Sequence, residues 1–184
     1  MCPHRSESCS WGLLSNERGD KLAVNRGKAF EGVIQDAFEK IEGVSIDRLH
    51  DQMNGYACSY NICDFIVYQT PYEYYIECKS VHGNTLSIHS NDPKRKYGLI
   101  SNAQWEGLLA KSKIEGVRAG VICWWIDKDV TLYIPISTLE TMRNLGKKSV
   151  RYDEISLDCV IIPGKKKRVF WDYDMTTFFK EVKK

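Results

Sequence analysis

The sequence contains no C-x-x-C pair, and its seven cysteines (Cys2, Cys9, Cys58, Cys63, Cys78, Cys123 and Cys159) form no regular framework. A structural zinc site built on paired short spacings is therefore not expected. An odd count also argues against a disulfide-stapled secreted scaffold. Cys63, Cys78 and Cys123 stand inside strand-like apolar runs, which suits reduced, buried thiols in a cytosolic protein. No apolar run approaches the ~20 residues that a membrane-spanning helix needs. The opening MCPHRSESCSWGLLSN lacks the apolar core of a secretion signal. A cytoplasmic protein without a membrane partner is the expectation. Charge of one sign is scarce as well: 26 Lys and Arg against 24 Asp and Glu leave a net +2. A uniformly basic surface is excluded, but the basic residues are clustered at Lys94-Arg95-Lys96, Lys147-Lys148, Lys165–Arg168 and Lys183-Lys184 while the acids are dispersed. Such clusters can meet phosphates, or can be solvated loops.

What is present is an ordinary globular composition over 184 residues, 43% hydrophobic and 27% charged, enough for a sizeable core. Residues 1–24 show no sustained periodicity and read as a loose arm; 25–184 read as one domain. From Asn25, Phe30, Val33, Ile34, Ala37, Phe38 and Ile41 recur at three- and four-residue steps, which predicts a first helix ended by Gly43. VSIDRLHD, ICDFIVYQ and TPYEYYIECKSV read as three strands, the last two joined by a Thr-Pro bend. HGNTLSIHSNDPKRKYG reads as loop. SNAQWEGLLAKSK is a second helix with Trp105, Leu108 and Leu109 inside, and VRAGVICWWI a strand buried on both faces. VTLYIPI pairs back as a hairpin, Ser137 and Glu140 match a capping box opening a short helix, and CVIIP, RVFWDY and a helix after Asp174 complete the chain. The predicted fold class is α/β, with an αβββαβ core and a mixed central sheet flanked by helices.

The chemistry concentrates on the second and third strands. Asp64 lies on an apolar strand face, where a carboxylate is costly unless paired or bound to a cation. On the next strand Tyr75, Glu77 and Lys79 share one face while Ile76 and Cys78 take the other. A hairpin brings Asp64 toward Glu77, and two neighbouring carboxylates need a positive charge between them. Mg²⁺ meets that need through oxygen ligands, with the Cys78 carbonyl as an additional donor; Mn²⁺ is an alternative. Lys79 beside the ion would orient an attacking water or stabilise charge on a phosphate, a set suited to phosphodiester hydrolysis. The plain alternative is a surface ion pair worth about 0–1 kcal/mol. Glu31 borders the first helix's apolar stripe and could extend the metal shell; a solvated helix acid is the bland reading. Gln104 borders the inner face of the second helix and could hold water or phosphate; closing a capping box with Ser101 is its rival role. Arg26 and Lys28 at the start of the first helix could grip phosphate.

Asp64, then Glu77-Cys78-Lys79 on the following strand, within the αβββαβ order, resembles the PD-(D/E)xK nuclease superfamily. Within it, NRGKAFEG (Asn25–Gly32), the Asp64-to-Glu77 spacing, NAQWEGL and GKKSV (Gly146–Val150) resemble the RecU-type Holliday junction resolvases of Gram-positive bacteria and their phages. That resemblance implies a cytoplasmic homodimer that nicks four-way DNA junctions with Mg²⁺. Asp64, Glu77 and Lys79 map onto its catalytic core with Glu31 and Gln104 in support, and the basic residues Arg26, Lys28, Lys94, Arg95, Lys96, Lys147 and Lys148 are candidate DNA contacts. Those resolvases carry a long stalk before the catalytic Asp where this chain has only HDQMNGYACSYN, and Cys63 replaces their threonine. A restriction-like or general DNA nuclease, or a nucleic-acid-binding protein with a decayed site, are the alternatives.

Overall fold

The computed structural model describes residues 26–49, 61–88, 99–155 and 159–182. The arm, the connector before Asp64, and Lys94, Arg95 and Lys96 lie outside the described residues. Helix α1 (Arg26–Glu39) is followed by β1 (Ser45–Arg48), β2 (Phe65–Gln69), β3 (Tyr72–Val81), β4 (Thr85–Ser87), α2 (Asn102–Ser112) and β5 (Val117–Trp125). A 3₁₀ turn (Ile126–Lys128) leads to β6 (Val130–Pro135), α3 (Ile136–Asn144) and β7 (Ser149–Arg151). β8 (Val160–Ile161), β9 (Gly164–Lys166), β10 (Trp171–Tyr173) and α4 (Met175–Val182) close the order. The expected αβββαβ succession is present, with β4 added before the second helix.

Six strands form the main sheet in the order β1-β2-β3-β5-β6-β8. β3 and β5 run parallel at its centre and every other pair is antiparallel, so the sheet is mixed. Strand alternation divides the apolar residues between two layers. On one face Phe30, Ile34, Ala37 and Phe38 of α1 and Met175, Phe178 and Phe179 of α4 pack on Tyr74, Ile76, Cys78, Ile122 and Trp124. On the other, Trp105 and Leu108 of α2 and Ile136 and Leu139 of α3 pack on Tyr75, Val81, Val121 and Cys123. β5 can be apolar throughout because helices cover both sides of it. At Gly120 the sheet has no room for a side chain: an added Cβ would stand 2.4 Å from the Ile134 carbonyl and 2.7 Å from the Tyr133 ring. No helix among the described residues is long and apolar enough to cross a membrane.

Three local expectations are corrected, and one strand is added to them. β2 starts at Phe65 rather than Ile62, although Asp64 keeps backbone bonds to both neighbouring strands, donating to the Ile76 carbonyl (3.1 Å) and accepting from the Leu49 N–H (2.8 Å). The stretch read as loop after His82 contains β4, which pairs with β7; Leu86 and Ile88, two residues apart, are both buried and pin it to the core. Ser137 and Glu140 do not form a capping box. α3 opens directly after Pro135 with no side-chain cap, and Glu140 turns to Trp105 and Arg143 instead. β9 answers to no expectation from the sequence, because Gly-Lys-Lys offers no apolar alternation to detect.

Candidate active site

The regular register of β2 and β3 runs up to Phe65 opposite Ile76, and Asp64, just before it, donates its N–H to the Ile76 carbonyl, next to Glu77. β2 ends there as a regular strand, and the Asp64 side chain continues its work: Oδ2 accepts the Cys78 N–H at 2.7 Å. In an extended strand the N–H and C=O of one residue point to the same side. The Cys78 carbonyl therefore faces the same edge as the Asp64 carboxylate. The alternation expected for β3 holds: Tyr75 belongs to the α2 face and Cys78 to the α1 face.

Glu77 is fully buried, a rare state for a carboxylate. Lys79, also on the α2 face, pairs with its Oε1, and the Gln104 amide donates to the same oxygen at 2.6 Å. Among the described residues Oε2 is buried with no hydrogen-bond partner. Burial first, and then the negative charge of Asp64, push the Glu77 carboxyl up to about 7, against the opposing pull of Lys79 and Gln104. Burial works against the Lys79 ammonium, but the charge and hydrogen bond of Glu77 more than offset it and raise its pKa. The site thus holds one cation for two carboxylates.

Gln104 does both things that the sequence set in competition. Its Oε1 accepts from the Ser101 N–H (3.0 Å) and its own N–H donates to Ser101 Oγ (3.3 Å), closing the capping box. Its Nε2 remains to reach Glu77. The helix lies close enough for this because Gly107 faces Ile62: a Cβ there would meet Ile62 Cγ2 at 2.4 Å. α2 is further tied to α3 by Glu140, which accepts from Trp105 Nε1 (2.9 Å) and from Arg143 (2.8 Å). Sequence reasoning missed this tie, although Glu140 and Arg143 stand at the i, i+3 spacing that pairs charges on a helix.

Glu31 stands on the α1 side of the sheet, near enough to Cys78 that its charge adds to burial and to the charges of Asp64 and Glu77 in raising that thiol's pKa. Its Oε2 is held by Arg48 at 2.5 Å, a β1 residue not singled out from the sequence. Arg26 is exposed, and its Nη1 lies 3.3 Å from His82 Nε2 just beyond β3. The other ring nitrogen of His82 lies 3.0 Å from Asp127, so that a neutral ring accepts from Arg26 and donates to the acid. Lys28 is exposed on the same helix. Lys147 is held by Glu154 (3.0 Å), and Lys148 is exposed, its carbonyl accepting from the Ile88 N–H.

Among the described residues, no three His, Cys, Asp or Glu side chains gather as a metal cluster. Two carboxylates and a strand carbonyl nevertheless fit Mg²⁺, which commonly takes one or two carboxylates and keeps several waters. The buried Glu77 oxygen without a partner, raised in pKa beside Asp64, is what such an ion would satisfy. The Cys78 side chain belongs to the opposite layer, so this residue offers the ion only its carbonyl.

No family model and no curated protein matches the chain. Among solved structures it is similar to Hjc of Archaeoglobus fulgidus, described as a Holliday junction resolvase from an archaeal hyperthermophile. The TM-score is 0.47 and the identity 19%, over 70% of this chain and 91% of that one.

Proposed function

We propose that the protein is a Mg²⁺-dependent DNA endonuclease of the PD-(D/E)xK type. The observation that carries this reading is the buried Glu77 carboxylate, unsatisfied at Oε2 among the described residues, with the Asp64 carboxylate beside it on the N–H of the next residue, Cys78. Asp64, Glu77 and the Cys78 carbonyl would hold the ion, with Mn²⁺ able to replace Mg²⁺. Bound there, the ion would polarise the scissile phosphate and make a nucleophile available near neutral pH. Lys79 would orient the attacking water and stabilise charge growing on the phosphate oxygens. Gln104 fixes the Glu77 rotamer by holding Oε1, which leaves Oε2 for the ion. Glu31, held by Arg48, supports the α1 side of the site, and Arg26 and Lys28 supply positive charge for a neighbouring phosphate.

The substrate proposed is branched DNA, a four-way junction cut by a homodimer in the cytoplasm. Support for the junction and the dimer is the sequence resemblance of Asn25–Gly32 and Gly146–Val150; the site chemistry would serve a linear duplex equally. The test is cleavage of a synthetic four-way junction beside a linear duplex of the same sequence, with and without Mg²⁺. Paired nicks in the junction alone are expected. Equal cutting of duplex would remove the resolvase reading and keep the nuclease. Binding without cutting in either Mg²⁺ or Mn²⁺ would remove the nuclease as well.

A further inference from the structure

One basic motif has no part in the site just described. Residues 163–169 are exposed at every position, and within them β9 forms a strand that buries none of its own side chains. Burial of an apolar face therefore does not account for this strand. It is held instead by antiparallel pairing with β10, from Gly164 opposite Tyr173 to Lys166 opposite Trp171. The result is a two-stranded ribbon whose four consecutive cations, Lys165 to Arg168, face solvent.

The ribbon is anchored through aromatic rings rather than through its own strand. Phe170, just before β10, packs on Trp124 with ring centroids 5.7 Å apart. Phe30 of α1 touches both Trp124 (5.7 Å) and Tyr173 of β10 (6.2 Å). Trp124 lies beside Ser80 in the β3–β5 register, one residue beyond Lys79, and Phe30 precedes Glu31. The ribbon is thereby fixed at the end of the sheet that carries the site, on its α1 side. Two acids temper its charge. Asp129 pairs with Lys166, and Asp172 pairs with Lys40 (2.5 Å) and Lys167 (3.4 Å). Lys165 and Arg168 meet no carboxylate within salt-bridge distance among the described residues, and the whole patch keeps an excess of positive charge.

We infer that the β9–β10 ribbon is a second DNA contact, gripping backbone phosphates of the duplex beside the cleavage site. A two-stranded ribbon has the width to lie along a groove. Exposed lysines and arginines on a rigid support neutralise phosphates without reading sequence. The inference takes DNA as partner from the nuclease reading, but its test is independent of cleavage.

The test measures binding of a fluorescent four-way junction and of a linear duplex by anisotropy, in Ca²⁺ to suppress cutting, across a salt series. A double variant, Lys165→Gln with Arg168→Gln, is compared with a control that removes the same charge elsewhere, Lys113→Gln with Lys180→Gln. The control residues neighbour Ser112 and Glu181, which line a common cavity with Val117 and Val182, and neither belongs to the ribbon. The ribbon variant should bind roughly tenfold more weakly at moderate salt. Its log–log salt slope should fall by about 1.8, at about 0.9 for each phosphate no longer neutralised, while the control keeps the wild-type slope. An unchanged slope in the ribbon variant overturns the inference and leaves the lysines only to keep the ribbon's edge from pairing with other chains. Equal losses in both variants also overturn it, since the effect would then be one of total charge. A wild type that binds anionic vesicles but no DNA overturns it too. The nuclease reading stands or falls separately, on Mg²⁺-dependent cutting.

Discussion

Two glutamates lie on either side of α2, and their surroundings differ in one respect that matters. Glu140 has donors on both oxygens: the Trp105 indole and Arg143 on Oε2, and Arg143 on Oε1. Burial would raise its pKa, but the hydrogen bonds from Arg143 and Trp105 win and hold it below the usual carboxylate value. Glu77 also has a cation and a neutral donor, yet both converge on Oε1 and leave Oε2 buried and bare. Its pKa rises to about 7. A compensated acid ties helices together; an uncompensated one beside a second carboxylate is where the proposed cation would be held.

The comparison is broken most directly by neutralising each acid in turn. Glu77→Gln should lower Mg²⁺-dependent cleavage by about 10³-fold or more, the scale of losing an electrostatic element of a transition state. Its unfolding free energy in EDTA should not fall, because burial and the Asp64 charge raise the carboxyl from 4.5 to about 7 and so disfavour its charged form in the folded state, a cost that the amide does not bear. Asp64→Asn should remove cleavage to a similar degree while DNA binding persists. Normal cutting by either variant would show that the acids hold no catalytic ion. Glu140→Gln should do the reverse. It should cost about 1–3 kcal/mol in urea unfolding, as hydrogen bonds to charged groups do, and leave cleavage within a few-fold of wild type at a temperature where the fold is intact.

A finer test moves α2 without touching either acid. Gly107→Ala puts a methyl group against Ile62, so the helix or the chain before Asp64 must shift. A stability loss of about 1–3 kcal/mol is expected. The fall in cleavage should exceed that of a control such as Gly146→Ala, where the added Cβ meets nothing within 4 Å and the positive φ alone is strained. If the two variants cut alike, the close approach of α2 does not position Gln104.

The smallest effect is one of pH. The folded value of Glu140 lies below the ordinary glutamate value of 4.5, so the unfolded chain binds more protons on acidification. The stability this group contributes is present above about 4.5 and is lost as pH falls through the folded value. The stability gap between wild type and Glu140→Gln should therefore narrow in acid, as read by urea unfolding from neutral pH downward. A gap that widens would reverse the assignment of Arg143 and Trp105 as the dominant partners.

Much of this is legible along the chain because it depends on local period. Alternation puts Tyr75, Glu77 and Lys79 on one face of β3, and the 3.6-residue stripe of Phe30, Ile34, Ala37 and Phe38 gives α1 its buried side. The short link between β2 and β3 is enough to expect Asp64 near Glu77. The failures share a cause. β4 and β9 are three residues each, too short for a period to emerge. The Ser137–Glu140 spacing matches a cap, but Pro135 opens the helix two residues early and Trp105, more than thirty residues away, claims the glutamate.

The residue types and the alternation of each strand determined which chemistry was available: two acids, a lysine and an amide at positions able to converge. Only the tertiary structure decided how their hydrogen bonds were shared. Gln104 reaches Glu77 across 27 positions of chain, and Arg48 reaches Glu31 across 17. Whether a buried oxygen finds a donor depends on where distant helices come to rest, and no local periodicity records that. Glu77 was nameable from its strand; that it is left one partner short is a property of the packed molecule.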